Sequence, residues 1–526
     1  MLRTEDGSIR GTVKMIETAK LQNLKNQDHS KQGGADWSWK EQADLVKWTR
    51  SPIQASLLKF NATDLNKLAL ECFIAIMRFM GDYPMGPDMT EYDCAKKILK
   101  ACHKYPLIRD EIFCQLCKQT TNNRSMFSKS KIRGWRLFGL VAAYFDCSDS
   151  LRPYLFKYLE TAASDSSRTY NNAAALCLTN LRKTFKYGGR KDVPLREEVV
   201  ALADGRTSKR FPFFYSGGDT HEGMLQVKSC TVVQDAIEEV CAGLNISDSV
   251  EMEEYTFFIR TRDGTFSKLN KEDYLLDETA FYIRKQIQYD LIFQRTVWYF
   301  PLRHMDHEIF VDMVFHQCVL DYIEGFLVTI PGSKLTRETA TDVAYLGAVL
   351  YKANKMVGTP TLKDLDSLVP RNVRHLPDPK PQQWLNRIHE NMEAAARMST
   401  LEAKSRFVDV LKRWPLFGST FFLIKSIPNV GGETMLAVNR QGIVFLRKNT
   451  HETFLEHPFS EILSTRRYHG DNNVNYLDMK LGNLMVQQIL RIETDQGSDI
   501  SDLIGQYMQV INRHRKRQDR PSPNVH

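Results

Sequence analysis

The spacing of apolar residues changes three times along these 526 residues, so the chain cannot fold as one repeating architecture. From about residue 48 to 204 the period is helical. Leu65, Leu68, Ala69, Cys72, Phe73, Ile76, Met77 and Met80 recur at intervals of three and four, and Gly81-Asp82-Tyr83-Pro84 stops that helix. Further helices are expected near 92–103, 108–120, 131–145, 151–160 and 170–186. After Pro212, short runs rich in Phe, Tyr, Val and Ile (211–215, 224–227 and 255–261) surround one amphipathic helix at 233–244, which predicts a small α+β unit. Helical spacing returns over 304–412 through Phe310, Val311, Val314, Phe315, Cys318 and Val319. From Phe421 six strand-like runs follow (421–426, 435–439, 443–447, 461–465, 476–481 and 488–493). A terminal helix at 499–513 then carries Ile500, Leu503, Ile504, Tyr507 and Ile511 on one stripe.

The length supports roughly three to four packing units, and no apolar run approaches the ~20 residues that cross a bilayer. The first residues, MLRTEDGSIR, lack the apolar centre of a secretion signal. Ten cysteines are scattered through apolar helical patterns, which predicts reduced, buried thiols in a cytosolic protein, so the sequons at Asn61, Asn123 and Asn245 are incidental. The net charge of +8 is localised. Residues 44–204 hold 25 Lys and Arg against 17 Asp and Glu, while the remainder of the chain balances at 46 of each. Such asymmetry suits an acidic filament or anionic lipid, or is simply a solvated face. Nucleic acid is not expected, because no groove-reading motif or paired stacking aromatics accompany the charge.

The stretch CHKYPLIRDEIFCQLC (102–117) concentrates three cysteines and a histidine. A helix starting near Ile108 places Ile108, Ile112, Phe113 and Leu116 on one face, with Cys117 at its edge. No second pair of closely spaced ligands follows, and no βαβ pattern surrounds the CxxC, so packing is the expected role rather than zinc or redox chemistry. Arg109 falls within the apolar arc and therefore needs a partner. The expectation is that it ties this helix to a loop acid such as Asp82. HMDHE at 304–308 is not in the order of a zinc protease helix, and Gly188-Gly189-Arg190-Lys191 is not a phosphate loop. No catalytic constellation, cofactor or metal is expected.

The strand meander closed by one helix outlines a pleckstrin-like sandwich. The order of an α+β unit, a helical unit and that sandwich matches the three lobes of a FERM domain. In front of it, WTRSPIQASLL (48–58), FMGDYP (79–84), LIRDEIFCQ (107–115), RGW (133–135) and TFKYGGR (184–190) closely resemble a myosin tail homology 4 (MyTH4) domain. MyTH4 followed by FERM is the tail module of certain unconventional myosins. RKTFKYGGRK (182–191) and MLAVNRQGIVFL (435–446) look most like class XV, whereas FMGDYP and KRWPLFGSTFF (412–422) are shared with classes VII and X.

The resemblance implies a polar linker at 1–42, a MyTH4 helical bundle at 43–204, a ubiquitin-like lobe at 205–290 and a helical, acyl-CoA-binding-protein-like lobe at 291–412. A PH/PTB-like lobe at 413–515 and a basic tail at 516–526 complete it. It also implies a non-catalytic cargo-binding tail in actin-rich protrusions of the cytoplasm, such as filopodia or stereocilia, with any ATPase in a motor domain elsewhere. The partners implied are adhesion or receptor tails and scaffold proteins. Microtubules would meet the basic surface of Lys96, Lys97, Lys100, Lys104, Lys129 and Lys131, and anionic lipid would meet the terminal basic cluster. In such sandwiches a peptide adds a strand at an exposed edge. By resemblance that edge is 476–481, with Tyr476, Asp478, Lys480, Gln506 and Asn512 on the groove, and the cleft between the first and third lobes is a second cargo surface. The alternative is a motor-independent FERM scaffold that binds phosphoinositide membranes and receptor tails.

Overall fold

The structure, a computed structural model, describes residues 46–217, 221–470, 474–483 and 485–518. The linker expected at 1–42 and most of the tail lie outside them. In chain order the helices α1 (Thr63–Met80), α2 (Glu91–Lys104), α3 (Ile108–Thr120), α4 (Ser130–Tyr144), α5 (Arg152–Ser164), α6 (Asn171–Tyr187) and α7 (Arg196–Asp204) come first. Strands β1 (Ser208–Tyr215) and β2 (Glu222–Lys228), helix α8 (Val233–Gly243), strands β3 (Tyr255–Thr261) and β4 (Phe266–Lys268), helix α9 (Leu275–Lys285) and strand β5 (Tyr289–Arg295) follow. Helices α10 (Glu308–Ile323), α11 (Arg337–Ala353), α12 (Pro381–Ala396) and α13 (Thr400–Leu411) form the next part. Last come strands β6 (Thr420–Ile424), β7 (Thr434–Asn439), β8 (Gly442–Arg447), β9 (Thr453–Pro458), β10 (Ile462–His469), β11 (Asn475–Gly482) and β12 (Gln487–Glu493), then helix α14 (Gly497–Gln518).

The chain divides into two compact units. The first contains the described residues up to Phe211 together with Gln226–Val233 and Asn270–Gln288. Its helices end where local chemistry stops them. Gly81 is left-handed at φ +88°, its N–H donates to the Arg78 carbonyl and the Asp82 N–H to that of Met77, while Thr90 and Asp93 form a capping box for α2. Trp135 lies at the centre, stacked on Phe138, Tyr158 and Tyr170 with ring centroids 5.3–5.7 Å apart. The fully buried Glu111 of α3 fixes the chain before α1: its two oxygens accept from the N–H groups of Leu57 (2.9 Å) and Leu58 (2.6 Å). Cys102, Cys114 and Cys117 are buried beside it, and burial pushes the Cys114 and Cys117 thiols well above the ordinary range. Their packing role is the one read from the helix pattern.

The second unit contains Pro212–Leu225, Gln234–Leu269 and the described residues from Tyr289 onward. A five-stranded sheet runs in the order β2-β1-β5-β3-β4, with β1 parallel to β5 and β3 antiparallel to β5. The closing sandwich has a four-stranded sheet, β6-β7-β8-β9, and a three-stranded sheet, β10-β11-β12. Both bury their inner faces with Ile500, Leu503, Ile504, Tyr507, Val510 and Ile511 of α14. The short turn Glu251–Glu254 buries three glutamates. Glu251 faces His304 at 3.6 Å, Glu253 pairs with Arg513 of α14, and Glu254 pairs with Arg295.

Asp321 of α10 carries an electrostatic penalty. Burial pushes its carboxyl up to about 7, and it has no ion-pair partner among the described residues. A carboxyl more easily protonated folded than unfolded loses stability as pH rises from about 4 through 7. Asp321→Asn is therefore expected to stabilise the chain by about 2 kcal/mol at pH 8 and by almost nothing at pH 4, as measured by urea denaturation at both pH values. An equal gain at both would show that the carboxyl is not strained.

Candidate partner-binding site

Strand β11 alternates cleanly, with Leu477, Met479 and Leu481 inward and Tyr476, Asp478 and Lys480 outward. The family resemblance placed the exposed edge on this strand. The pairing corrects this: β11 bonds β10 along 462–481 and β12 along 476–493, so it is the central strand and has no free edge for an added peptide. A centre strand buries one whole face against the core, and this produces the strong alternation. The sheet's outer strands are β10 and β12, each pairing with β11, β12 also meeting Ser426 at Glu493; of the two, β10 is the one that Arg467 ties to α14.

Along β10 the partners of inward-facing β11 residues are Thr465, opposite Met479, and Arg467, opposite Leu477. Arg467 Nη1 donates to Ser498 Oγ at the start of α14 (3.1 Å), tying the edge strand to the helix. At helical spacing Ser498, Ser501, Gly505, Met508 and Asn512 share one side of α14. A Cβ added at Gly505 would meet nothing within 4 Å. Small residues on the helix and an unpaired strand edge thus leave room for one extended segment. Asn512 lies exposed on this side. Gln506 does not: it is partly buried on the neighbouring side with Gln509 and Arg513, which reach Glu253.

Tyr476, Asp478 and Lys480 instead belong to the sandwich's outer face. Arg491 of β12 holds Asp478 with two hydrogen bonds (2.7 and 2.8 Å), which keeps that carboxyl below its usual range, and its guanidinium lies over Tyr468 (4.9 Å) and Tyr476 (5.7 Å). At the other expected cargo surface, Lys268 of β4 is within electrostatic reach of Asp499 and Asp502 on α14.

In the first unit, Lys100 and Lys104 are exposed on α2. Lys97 pairs with Glu71 (2.9 Å), and Lys96 and Lys104 lie over Tyr92 and Tyr105. Lys129 is exposed, and Lys131 covers the ring of Tyr170 at 4.4 Å. The expected Arg109–Asp82 pair does not form. Arg109 is partly exposed, and it donates to Asp146 (2.8 Å) and to the Cys102 carbonyl (3.2 Å) while its guanidinium covers Phe145. Asp82 accepts from Trp48 Nε1 (2.8 Å), Ser125 Oγ (2.5 Å) and Ser130 Oγ (2.8 Å), so its oxygens are taken by neutral donors that close the loop before α4. Sequence reading also passed over the glutamates of 251–254, since an acidic run reads as a solvated turn.

A helical unit followed by a mixed sheet, a helical part and a helix-closed sandwich with open sheet edges has the architecture of a protein-binding module. Family models agree part by part: a MyTH4 domain over residues 95–201, a FERM central domain over 301–422 and a PTB domain of the IRS-1 type over 424–512. The chain carries MyTH4 and FERM domains, in an order shared with unconventional myosin tails, and class XV is the class that the similarity supports. Human unconventional myosin-XV is 31% identical over 488 residues, which is 92% of this chain and 14% of that protein. Drosophila melanogaster myosin-VIIa is 27% identical over 497 residues, 90% of this chain and 21% of that protein. The chain thus spans a small fraction of the curated relatives it matches. The structure of the human myosin 7b C-terminal MyTH4-FERM domain in complex with the harmonin-a PDZ3 domain superposes with a TM-score of 0.62 at 25% identity, covering 93% of this chain and 96% of that one.

Proposed function

We propose that the chain is the non-catalytic cargo-binding tail of an actin-based motor, linking it to adhesion or receptor tails and to scaffold proteins in actin-rich protrusions. The observation that carries this reading is the unpaired edge of β10 beside the open side of α14 at Gly505. The similarity to a myosin 7b module whose complex contains a scaffold PDZ domain supports scaffold proteins as one cargo class. Backbone hydrogen bonds from an added strand would give affinity, and the outward residues of β10 and the rim of α14 would give selectivity.

The test uses the whole chain and a set of receptor-tail and scaffold peptides. Hydrogen exchange on binding is expected to slow across 463–469 and along the Ser501–Asn512 side of α14. Gly505→Arg fills the groove from a helical position, where glycine is not needed, and is expected to weaken binding at least about tenfold without lowering the melting temperature. Equal recovery of every peptide by both proteins would sink the groove.

A further inference from the structure

We propose that the loop at 121–129, between α3 and α4, is a membrane-contact site that places Met126 and the edge of Phe127 in the interface of an anionic bilayer. Met126 is 93% exposed and Phe127 41%, two adjacent large apolar side chains at the apex of one loop. Ordinary surfaces carry such residues singly.

This apex is held rather than frayed. Ser125 Oγ and Ser130 Oγ both donate to Asp82, and Asn123 donates to the Gln119 carbonyl and to Ser130 Oγ. Ser125 Oγ accepts from the Phe127 N–H, and Asn122 adopts φ +49°, which asparagine tolerates. The Phe127 ring lies across Gly81, 2.8 Å from where a Cβ would sit. The fold therefore maintains an apolar tip in water, and ordering it costs little further entropy on binding.

Along the segment that carries the tip the charge has one sign. Residues 112–145 contain six Lys and Arg and no Asp or Glu. Arg124 and Lys129 flank the apex and have no ion pair among the described residues, and Lys131 lies against Tyr170 nearby, where Arg168 is paired with Asp165. The acids at the base are engaged: Asp82 by three donors and Glu91 by Arg133 at 2.8 Å. Apolar tip plus unpaired basic collar is the combination that binds anionic interfaces, with the cations at headgroup level and the tip beneath them. An acidic filament would satisfy the collar and leave Met126 in water. The bilayer satisfies both.

The experiment is co-sedimentation of the 526-residue chain with vesicles of phosphatidylcholine alone or with about 30% phosphatidylserine. Partitioning is expected only onto the anionic vesicles. Met126→Asp, a change at a fully exposed position, is expected to reduce it about tenfold with an unchanged melting curve, and Lys129→Glu should reduce it by a similar factor. Three outcomes overturn the proposal. One is no preference for anionic vesicles, and another is full binding by Met126→Asp. The third is Met126-dependent capture on pelleted microtubules with none on vesicles, which would make the tip a protein contact.

Discussion

Replacing Arg190 with alanine is expected to lower the melting temperature of the first unit by about 10 °C, from a loss of about 3–5 kcal/mol. Its side chain is 1% exposed and makes ion pairs with two carboxylates, Glu198 of α7 and Asp277 of α9, the latter at 2.8 Å from Nε. The Ser229 carbonyl accepts a third contact at 3.3 Å, and the guanidinium covers Tyr144 at 4.9 Å. Backbone contacts complete the clamp: the Lys191 N–H donates to Asp277 Oδ2 (2.9 Å), and Tyr274 Oη donates to the Gly188 carbonyl (2.6 Å). Gly189 makes this approach feasible, since a Cβ there would sit 1.8 Å from the Tyr144 backbone carbonyl oxygen. Removing the guanidinium leaves two nearly buried carboxylates facing each other. Arg190→Lys keeps the charge but cannot fork between both acids, and should fall midway. Hydrogen exchange would speed up across 270–288, because the clamp anchors that segment within the unit. An unchanged melting temperature would mean that water compensates the pair.

The contrast between what sequence conveyed and what it did not follows from the range of the interactions. Helix α3 was legible to its first residue, because Ile108, Ile112, Phe113 and Leu116 repeat at the helical period within one element. Strands β3 and β8 were legible because their apolar residues are contiguous and bounded by turns. Strand β9, TFLEHP, was missed: it is half exposed and ends in proline, so it carries neither period. The full extent of β10, ILSTRRYH, was missed for a related reason, as only Ile462 is buried. An open edge is polar on most sides, so the proposed binding edge is a strand whose sequence advertises itself little. Which strand lies at an edge is decided by pairing across the sheet, and the resemblance had placed the edge on what proves to be the central strand. Arg109 shows the same limit. Its position on the helix stated that it needed a partner, but only the tertiary fold determines whether Asp82 or Asp146 lies within reach.

Glu254 gives the largest expected effect in the second unit, and it tests whether stability and cargo binding separate there. Neither it nor Arg295 has any exposed side-chain surface. Glu254 Oε1 accepts from the N–H groups of Tyr299 (2.6 Å) and Phe300 (2.8 Å), and the other oxygen accepts from Arg295 Nη2. Glu254→Ala strands a buried guanidinium and leaves two buried amides without acceptors, for an expected loss of about 5 kcal/mol. Replacing both members by methionine removes the stranded charge along with its partner, so Glu254→Met with Arg295→Met should recover much of that loss. A double-mutant cycle in urea measures the coupling, and additive single losses would refute it. The segment shaped by Glu254 also backs α14: the Trp298 N–H donates to Tyr507 Oη at 3.1 Å, and neighbouring Glu253 holds Arg513. Loosening it should shift the helix that walls the groove. Below its own melting temperature, Glu254→Ala is thus expected to bind groove peptides more weakly in proportion to its lost stability. Gly505→Arg, by contrast, loses binding at full stability. If Glu254→Ala binds like the parent chain while folded, α14 is held by its apolar stripe alone and the buried glutamate turn serves only the lobe it belongs to.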